Sequence, residues 1–383
     1  MKRRHFLLGG AVALGAVGGA GYWFGLRPLA VPQPAELGFQ PTEAELTAAR
    51  ALMRRLPVID AHAHPGRTFL RGAEDLSFLL RLYRAIGGTF EDQSIAEMTQ
   101  AGMAAAVFNG VGDVQVITLA EGGLAQYRPF APDEAWTSYR RQIANLHQLE
   151  ASGLVTLCLS PADVLAAHAA GRTGAILAME GADFLAGDLS RVAQVHADGV
   201  RMLTLVHYSD NETGHIMTGG AGGGLTGFGR ETVAAMNEVG MMIDLAHASE
   251  AMALEVIGAS TRPVILSHSH VNQPALSHPR FVSAELAQAV AGTGGYIGAW
   301  PAGIGITNLD QFADRVVELI TLMGADHVAL GSDMDANYRP VLETYRKMPH
   351  LVAALLRRGL DEEVLGKVLG ENVLRVWTQV QAA

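Results

Sequence analysis

Short apolar runs of strand length recur along the chain between longer amphipathic stretches. The apolar runs are Val58–Ala61, Ala104–Phe108, Ala175–Ala178, Met202–Val206, Met241–Leu245, Val264–Leu266, Gly295–Ala299 and Val328–Leu330. The stretches between them carry helical patterns at Ser138–Leu149, Arg191–Ala197, Gly229–Val239, Ala284–Ala291 and Leu309–Leu322. Neighbouring parallel strands need a crossover, so this alternation indicates a parallel sheet. Eight such strands predict a TIM-type (β/α)8 barrel, an α/β fold.

The remaining patterns define the borders of this barrel. Thr42 and Glu45 have the spacing of a capping box, so the catalytic domain is predicted to span residues 42–383. Leu154–Leu159 is a ninth strand candidate that is left out, because no reactive residue follows it. A further helix at about Val352–Leu365 and a closing turn at Asn372–Thr378 complete the predicted outer ring.

The N-terminus differs in composition from the rest of the chain. Arg3 and Arg4 precede an uncharged, glycine- and alanine-rich run from Phe6 to Leu26, which is the layout of a twin-arginine export signal. The alternative is a membrane anchor, because about 20 uncharged residues can span a bilayer. Residues 1–26 are therefore predicted to direct export, and the proline-rich residues 27–41 to form a linker. We expect a periplasmic or extracytoplasmic protein, with an uncleaved tether through residues 6–26 as the alternative.

Composition narrows the classes of function. A formal net charge of −10 disfavours a nucleic-acid partner. The single cysteine, Cys158, lies in an apolar run and is interpreted as a buried hydrophobic residue rather than a nucleophile. Fourteen histidines point instead to metal or proton chemistry, since histidine is the commonest metal ligand and a common acid or base near neutral pH.

Reactive side chains follow six of the eight predicted strands. In such barrels function lies at the carboxyl ends of the strands. His62 and His64 are two positions apart after the first strand, so they share one face. The residues that follow the third, fourth, fifth, sixth and eighth strands are Glu180, His207, His247, His268 and Asp333. These positions predict one site at one rim of the barrel.

Four of these histidines and the glutamate suit a pair of Zn²⁺ ions, with other divalent transition metals as the alternative. Such a pair can hold a hydroxide and polarise an amide carbonyl at once. The order along the barrel assigns His62, His64 and Glu180 to one ion and Glu180, His247 and His268 to the other. Asp333 is predicted to take and return the proton of the bridging water. His270 and Asp335 are the nearest rivals to His268 and Asp333.

One glycine-rich segment remains outside this constellation. Gly214–Gly229 contains eight glycines but lacks the lysine of a P-loop and the spacing of a dinucleotide-binding loop. It is interpreted as a mobile loop over the barrel mouth.

The motifs taken together resemble the membrane (renal) dipeptidase family, within the amidohydrolase-like metal barrels. The resemblance spans roughly residues 55 to 378. It is carried by residues 59–64, 178–181, 203–207, 224–229, 240–247, 263–269, 278–280, 331–333 and 371–375. It implies a zinc dipeptidase with Glu180 bridging two ions and with His62, His247 and His268 as terminal ligands. One departure is His64, where relatives usually carry aspartate.

The resemblance also implies roles for the substrate-binding residues. Arg280 would bind the C-terminal carboxylate of the substrate, His207 would stabilise the developing oxyanion, and Asp333 would move the proton. The predicted activity is hydrolysis of the amide bond of dipeptides or dipeptide-like molecules. The alternatives are a related amidohydrolase acting on another amide, lactam or ester, and a metal-binding barrel without catalysis. A homodimer is a further prediction from the resemblance.

Overall fold

The computed structural model describes residues 33–120, 123–219 and 222–382. The predicted export signal, residues 1–26, and the first part of the linker lie outside these residues. Helix α1, Glu43–Met53, begins with the predicted capping box, in which Thr42 and Glu45 exchange hydrogen bonds with each other's backbone N–H.

Eight parallel strands form the predicted barrel. In spatial order they are β1 (Ile59–Ala63), β2 (Ala105–Val111), β6 (Gly174–Glu180), β7 (Val200–Thr204), β8 (Met242–Asp244), β9 (Val264–Ser269), β10 (Ile297–Ala299) and β11 (Val328–Leu330). Every residue of these strands is buried, which is why their sequences are continuous apolar runs rather than alternating ones. All eight predicted strands are confirmed.

Two small additions lie outside the barrel. The excluded run Leu154–Leu159 forms a two-residue strand, β5 (Thr156–Leu157), which pairs only with β6. An antiparallel hairpin of β3 (Ile117–Ala120) and β4 (Gly123–Gln126) follows β2 and was not predicted. Cys158, next to β5, is fully buried, and burial raises the pKa of its thiol to about 12, as expected for a hydrophobic residue.

Helices cover the outside of the barrel. After α1 they are α2 (Phe78–Gly87), α3 (Glu91–Ala101), α4 (Glu134–Ala151), α5 (Pro161–Ala169), α6 (Ser190–Ala197), α7 (Gly227–Val239), α8 (Glu250–Ala259), α9 (Ala284–Gly292), α10 (Leu309–Met323), α11 (Met348–Arg357), α12 (Glu362–Gly366) and α13 (Asn372–Gln381). The single helix predicted at Val352–Leu365 is wrong. Gly359 has φ +83°, a left-handed conformation that ends α11 before α12 begins.

The first and last strands meet at a seam that side chains reinforce. The Asp333 N–H donates to the His62 carbonyl at 2.8 Å, and the His64 N–H donates to the Met334 carbonyl at 2.9 Å. Below these bonds, the Asp60 carboxylate accepts the N–H and the hydroxyl of Ser332. The seam therefore closes the barrel by joining its first and last strands, directly beneath residues predicted to form the site.

Helix α13 closes the barrel at the amino ends of its strands. Val376 and Trp377 belong to the same apolar cluster as alternate residues of the strands, such as Ile176 and Ile265. Asn372 donates to the Val328 carbonyl at the start of β11. The amino ends of the strands are thus sealed, and the carboxyl ends are left for chemistry. In the part of the chain that the structure describes, no helix has both the length and the apolarity needed to cross a membrane.

Candidate metal centre

Glu180, the last residue of β6, lies at the centre of a buried cluster of histidines. It is 2% exposed, and its two carboxylate oxygens face imidazole nitrogens from five directions. The Nε2 atoms lie 2.9 Å (His247), 3.3 Å (His64), 3.4 Å (His207), 3.5 Å (His62) and 3.7 Å (His268) from the nearer oxygen. The structure thus brings every predicted metal ligand to one point.

The strand ends explain this convergence. His62 lies in β1, and His64 directly follows that strand, while His268 is the penultimate residue of β9. His247 and Asp333 follow their strands by three residues and adopt left-handed φ values of 67° and 54°. Such a conformation is uncommon in residues other than glycine and clusters at functional sites. The turn that it creates is part of how both side chains reach the cluster.

Among the described residues, the ligand atoms that could share an ion fall into three groups. They are His62 with His64 and Asp333, His62 with Glu180 and His268, and Glu180 with His207 and His247. These groups differ from the predicted division, because Asp333 joins the first and His207 joins the third. The assignment of each ligand to a particular ion therefore stays a prediction.

The donor set nevertheless fits divalent metal. Both ring nitrogens of His247 are buried and have no hydrogen-bond partner among the described residues, although Nε2 lies 2.9 Å from Glu180. Burial holds the pKa of His247 and His268 well below the ordinary value, and metal binding requires such neutral imidazoles. Burial would raise the pKa of Glu180, but the surrounding histidines, led by His207, outweigh it and hold that pKa well below its usual range.

Hydrogen bonds at the far side of the rings fix their tautomers. The His64 Nδ1 atom lies 3.1 Å from the Asn109 carbonyl, which can only accept. Ser267 serves two histidines at once, since its hydroxyl oxygen lies 2.9 Å from His62 Nδ1 and 3.1 Å from His268 Nδ1. The same hydroxyl donates to Asp244 at 2.6 Å. Its one proton is then used, so both rings donate from Nδ1 and carry an unprotonated Nε2 as the ligand atom.

Asp333 is at the edge of the cluster, in contact with both the histidines and an aromatic residue. One oxygen lies 3.5 Å from His64 Nε2, and the other accepts the Trp300 indole N–H at 3.3 Å. Burial raises the pKa of Asp333 to about 6, against the opposing effect of His64 and His62. This carboxyl is therefore closer to a proton-exchanging group at neutral pH than an ordinary aspartate is.

The two rival residues have other partners. Asp335 accepts the Gly66 N–H at 2.7 Å and the Ser94 hydroxyl at 2.8 Å, so its carboxylate is used in anchoring the loop after β1. His270 packs against the Phe281 ring, and its Nε2 is 3.3 Å from Glu318, outside the cluster around Glu180.

Arg280 is a buried cation beside the cluster. It is 5% exposed, and its guanidinium lies 5.2 Å from the Trp300 ring centroid. Its Nη2 atom donates to His268 Nε2 at 2.9 Å. Within the part of the chain that the structure describes, its Nε has no hydrogen-bond partner. A guanidinium with unused donors is suited to bidentate recognition of a carboxylate.

The glycine-rich segment lies next to this region. The Met217 N–H donates to the His247 carbonyl at 2.8 Å, and Ile216 bridges to Ala248. The segment therefore passes over the end of β8, as predicted for a loop at the barrel mouth. Its mobility stays a prediction.

The structure adds residues that the sequence interpretation missed. No group was assigned after the second and seventh strands, yet Asp113 follows β2 and Trp300 directly follows β10. Asp113 contacts His207, while Trp300 contacts Asp333 and Arg280. Trp300 is neither a metal ligand nor an acid or base, so the strand-end rule passed over it, whereas Asp113 is an acid five residues beyond the predicted second strand and could have been selected.

Comparisons with known proteins identify the family of the chain. A family model described as membrane dipeptidase, peptidase family M19, matches residues 46–383. Dipeptidase verJ of Clonostachys rogersoniana is 31% identical over 265 residues, which cover 66% of this chain and 68% of that protein. Dipeptidase tcpJ of Claviceps purpurea (strain 20.1) is 32% identical over 234 residues, 57% of this chain and 54% of that protein.

A solved structure has the same fold. A metallo peptidase from Rhodobacter sphaeroides, liganded with a phosphinate mimic of the dipeptide L-Ala-D-Ala, superposes with a TM-score of 0.69 at 24% identity. The alignment covers 85% of this chain and 99% of that chain. At this identity the likeness establishes the barrel fold.

Proposed function

The chain belongs to the membrane dipeptidase family, and on that basis we propose that it hydrolyses the amide bond of dipeptides or dipeptide-like molecules with two divalent metal ions, which we expect to be zinc. The observation that carries the proposal is the convergence of four Nε2 ligand atoms on the Glu180 carboxylate, with Asp333 beside them. When bound, a pair of such ions supplies an acidified water and polarises the scissile carbonyl.

The surrounding residues divide the remaining work. Arg280 holds the C-terminal carboxylate of the substrate through its unused donors, which orients the amide toward Glu180. His207 donates from Nε2 to the carbonyl oxygen as negative charge develops there. Asp333 accepts a proton from the attacking water and passes it to the leaving amine. Its contact with Trp300 holds one oxygen, and the other faces His64.

The test is a dipeptide library assay, including D-residues at the C-terminal position, with metal content measured on the same sample. We expect about two zinc ions per chain, loss of activity after chelation, and recovery after zinc is added back. Protein that contains no transition metal and stays inactive with added zinc would refute the proposal. Lactams and esters are assayed in parallel, and a preference for them would assign the alternative amidohydrolase activity.

We also propose that residues 1–26 direct export of the folded protein. The support is the pair Arg3 and Arg4 before an uncharged run. Fusion of residues 1–26 to a reporter should place it outside the cytoplasm, and replacement of both arginines by lysine should retain it inside. Washing of isolated membranes with salt then distinguishes a released protein from one tethered through residues 6–26. Sedimentation of the same preparation tests the predicted homodimer.

A further inference from the structure

Asp113 is a fully buried carboxylate that the proposed mechanism does not yet use. It lies two residues beyond β2, where the Gly112 N–H donates to the Glu180 carbonyl at 2.7 Å. The backbone segments that follow β2 and β6 pass so closely here that a Cβ on Gly112 would lie 2.2 Å from the Gly181 carbonyl oxygen. Asp113 is therefore held by the backbone at a fixed distance from the end of β6, which carries the predicted bridging glutamate.

The Asp113 carboxylate is directed at His207. One oxygen lies 2.7 Å from His207 Nδ1, and the other accepts the Tyr208 N–H at 2.9 Å. The opposite ring nitrogen, His207 Nε2, lies 3.4 Å from Glu180. The ring is thus held at one end by Asp113 and presents its other end to the predicted reacting centre.

A buried carboxylate is costly unless an opposite charge or hydrogen-bond donors compensate it. Within the described residues, the ion pair of Asp113 is with His207 and with no lysine or arginine. The charge of Asp113 is therefore directed at this imidazole.

We propose that Asp113 is a positioning residue for hydrolysis, which fixes the His207 ring so that Nε2 faces the substrate carbonyl. The inference rests on the proposed function of His207 as the donor to that carbonyl. The Asp113 oxygen 2.7 Å from Nδ1 holds the ring in one orientation, because the carboxylate is itself fixed by the Tyr208 N–H, and Nε2 therefore stays on the side of the predicted reacting centre. Without the carboxylate, the ring loses this partner and is free to turn.

A second buried acid completes the support. The Ser209 hydroxyl lies 2.9 Å from Asp183 and 3.3 Å from the Asp113 oxygen that also accepts the Tyr208 N–H. Both acids are at most 5% exposed. Ser209 therefore ties the Asp113 carboxylate to the loop after β6, so that its orientation does not depend on His207 alone.

The test is a double-mutant cycle of Asp113→Asn and His207→Ala on zinc-loaded enzyme. We expect Asp113→Asn to lower kcat between about 10- and 100-fold with KM and zinc content unchanged, less than the about 100- to 1000-fold cost of removing an oxyanion donor outright. In the His207→Ala background, Asp113→Asn should cost no more than about twofold, because its partner is gone. Asp198→Asn is the matched control, since Asp198 accepts the Tyr139 hydroxyl at 2.8 Å away from the site and should leave kcat unchanged.

The outcomes separate this inference from the proposed function. Wild-type protein that hydrolyses no dipeptide with zinc bound would refute the function itself. Active wild-type protein with an Asp113→Asn variant of normal kcat would refute the inference. A loss that is additive in the two backgrounds would make Asp113 a general structural residue. A loss of kcat that is explained by reduced zinc content would indicate that His207 is a metal ligand. Each of these last two results would overturn the positioning role of Asp113.

Discussion

Ser267→Ala is a sharp perturbation of the predicted metal centre, because a single hydroxyl supports two ligands. The substitution keeps Cβ at a fully buried position and removes only Oγ. His62 and His268 both lose the acceptor for their Nδ1 protons. Asp244 keeps the Thr204 hydroxyl at 2.6 Å and the Ser267 N–H at 2.8 Å, so its carboxylate is not left bare.

The size of the effect follows from these contacts. Loss of a hydrogen-bond partner behind a metal-bound histidine typically costs 10- to 100-fold in metal affinity or activity. Since His62 and His268 are predicted to bind different ions, we expect both ions to be weakened by about 10- to 100-fold, or about 1.4–2.7 kcal/mol each. The loss of ordinary hydrogen bonds should lower the free energy of unfolding by only about 1–2 kcal/mol, so the variant should fold.

The assay is competition for zinc between the protein and a chelator of known affinity, followed by kcat at saturating zinc. Ser138→Ala is the matched control, because Ser138 is a buried serine that accepts from Gln142 at 3.1 Å on α4 and contacts no predicted ligand. Folded Ser267→Ala protein with wild-type zinc affinity for both ions would show that the hydroxyl does not support these ligands.

Three further predictions test other parts of the site. His247→Ala should abolish turnover, whereas His196→Ala on α6 should not, and equal loss in activity assays of both would show that the ligand assignment is wrong. Arg280→Met should raise KM for dipeptides by about 10- to 100-fold, with a much smaller effect on C-terminally amidated substrates. An equal effect on both kinds of substrate would show that Arg280 does not bind the C-terminal carboxylate. Burial, followed by the nearby Asp113 charge, raises the pKa of Asp183 to about 7, above its unfolded value, so its contribution opposes folding increasingly from about pH 4 to pH 7. The free energy of unfolding of Asp183→Asn relative to wild type should therefore increase between pH 5 and pH 8 by about 1 kcal/mol or more in denaturant titrations. A constant difference across that range would contradict the raised pKa of Asp183.

The barrel could be predicted because its strands are buried on both faces. A run such as Val264–Leu266 contains no polar residue that would obscure the strand pattern, and the reactive residue His268 comes two positions after it. The helix predicted at Val352–Leu365 failed because its apolar pattern continues across Gly359, while the backbone turns there into a conformation that glycine adopts without cost. The β3–β4 hairpin was missed because its strands are only four residues each and largely exposed.

The ligands of the candidate centre were visible in the sequence, but their supports were not. Glu180 and His247 stand out because each follows an apolar run. Ser267 reaches His62 from 205 positions away, and Asp113 reaches His207 from 94 positions away. A serine or aspartate near a strand end has many ordinary uses, so only the fold reveals which ring it contacts. Asp113 could still have been selected by its position after β2.

The seam between β1 and the segment after β11 has a consequence for biosynthesis. Asp60 and Ser332 are 272 positions apart, and His62 and Asp333 lie immediately above them. A nascent chain that has not yet emerged beyond residue 333 cannot form this junction, whatever the state of the strands between. The complete centre can therefore assemble only after residue 333 is available, when the most distant contacts of the barrel form. Incorporation of metal into the complete centre would then report that the barrel has closed.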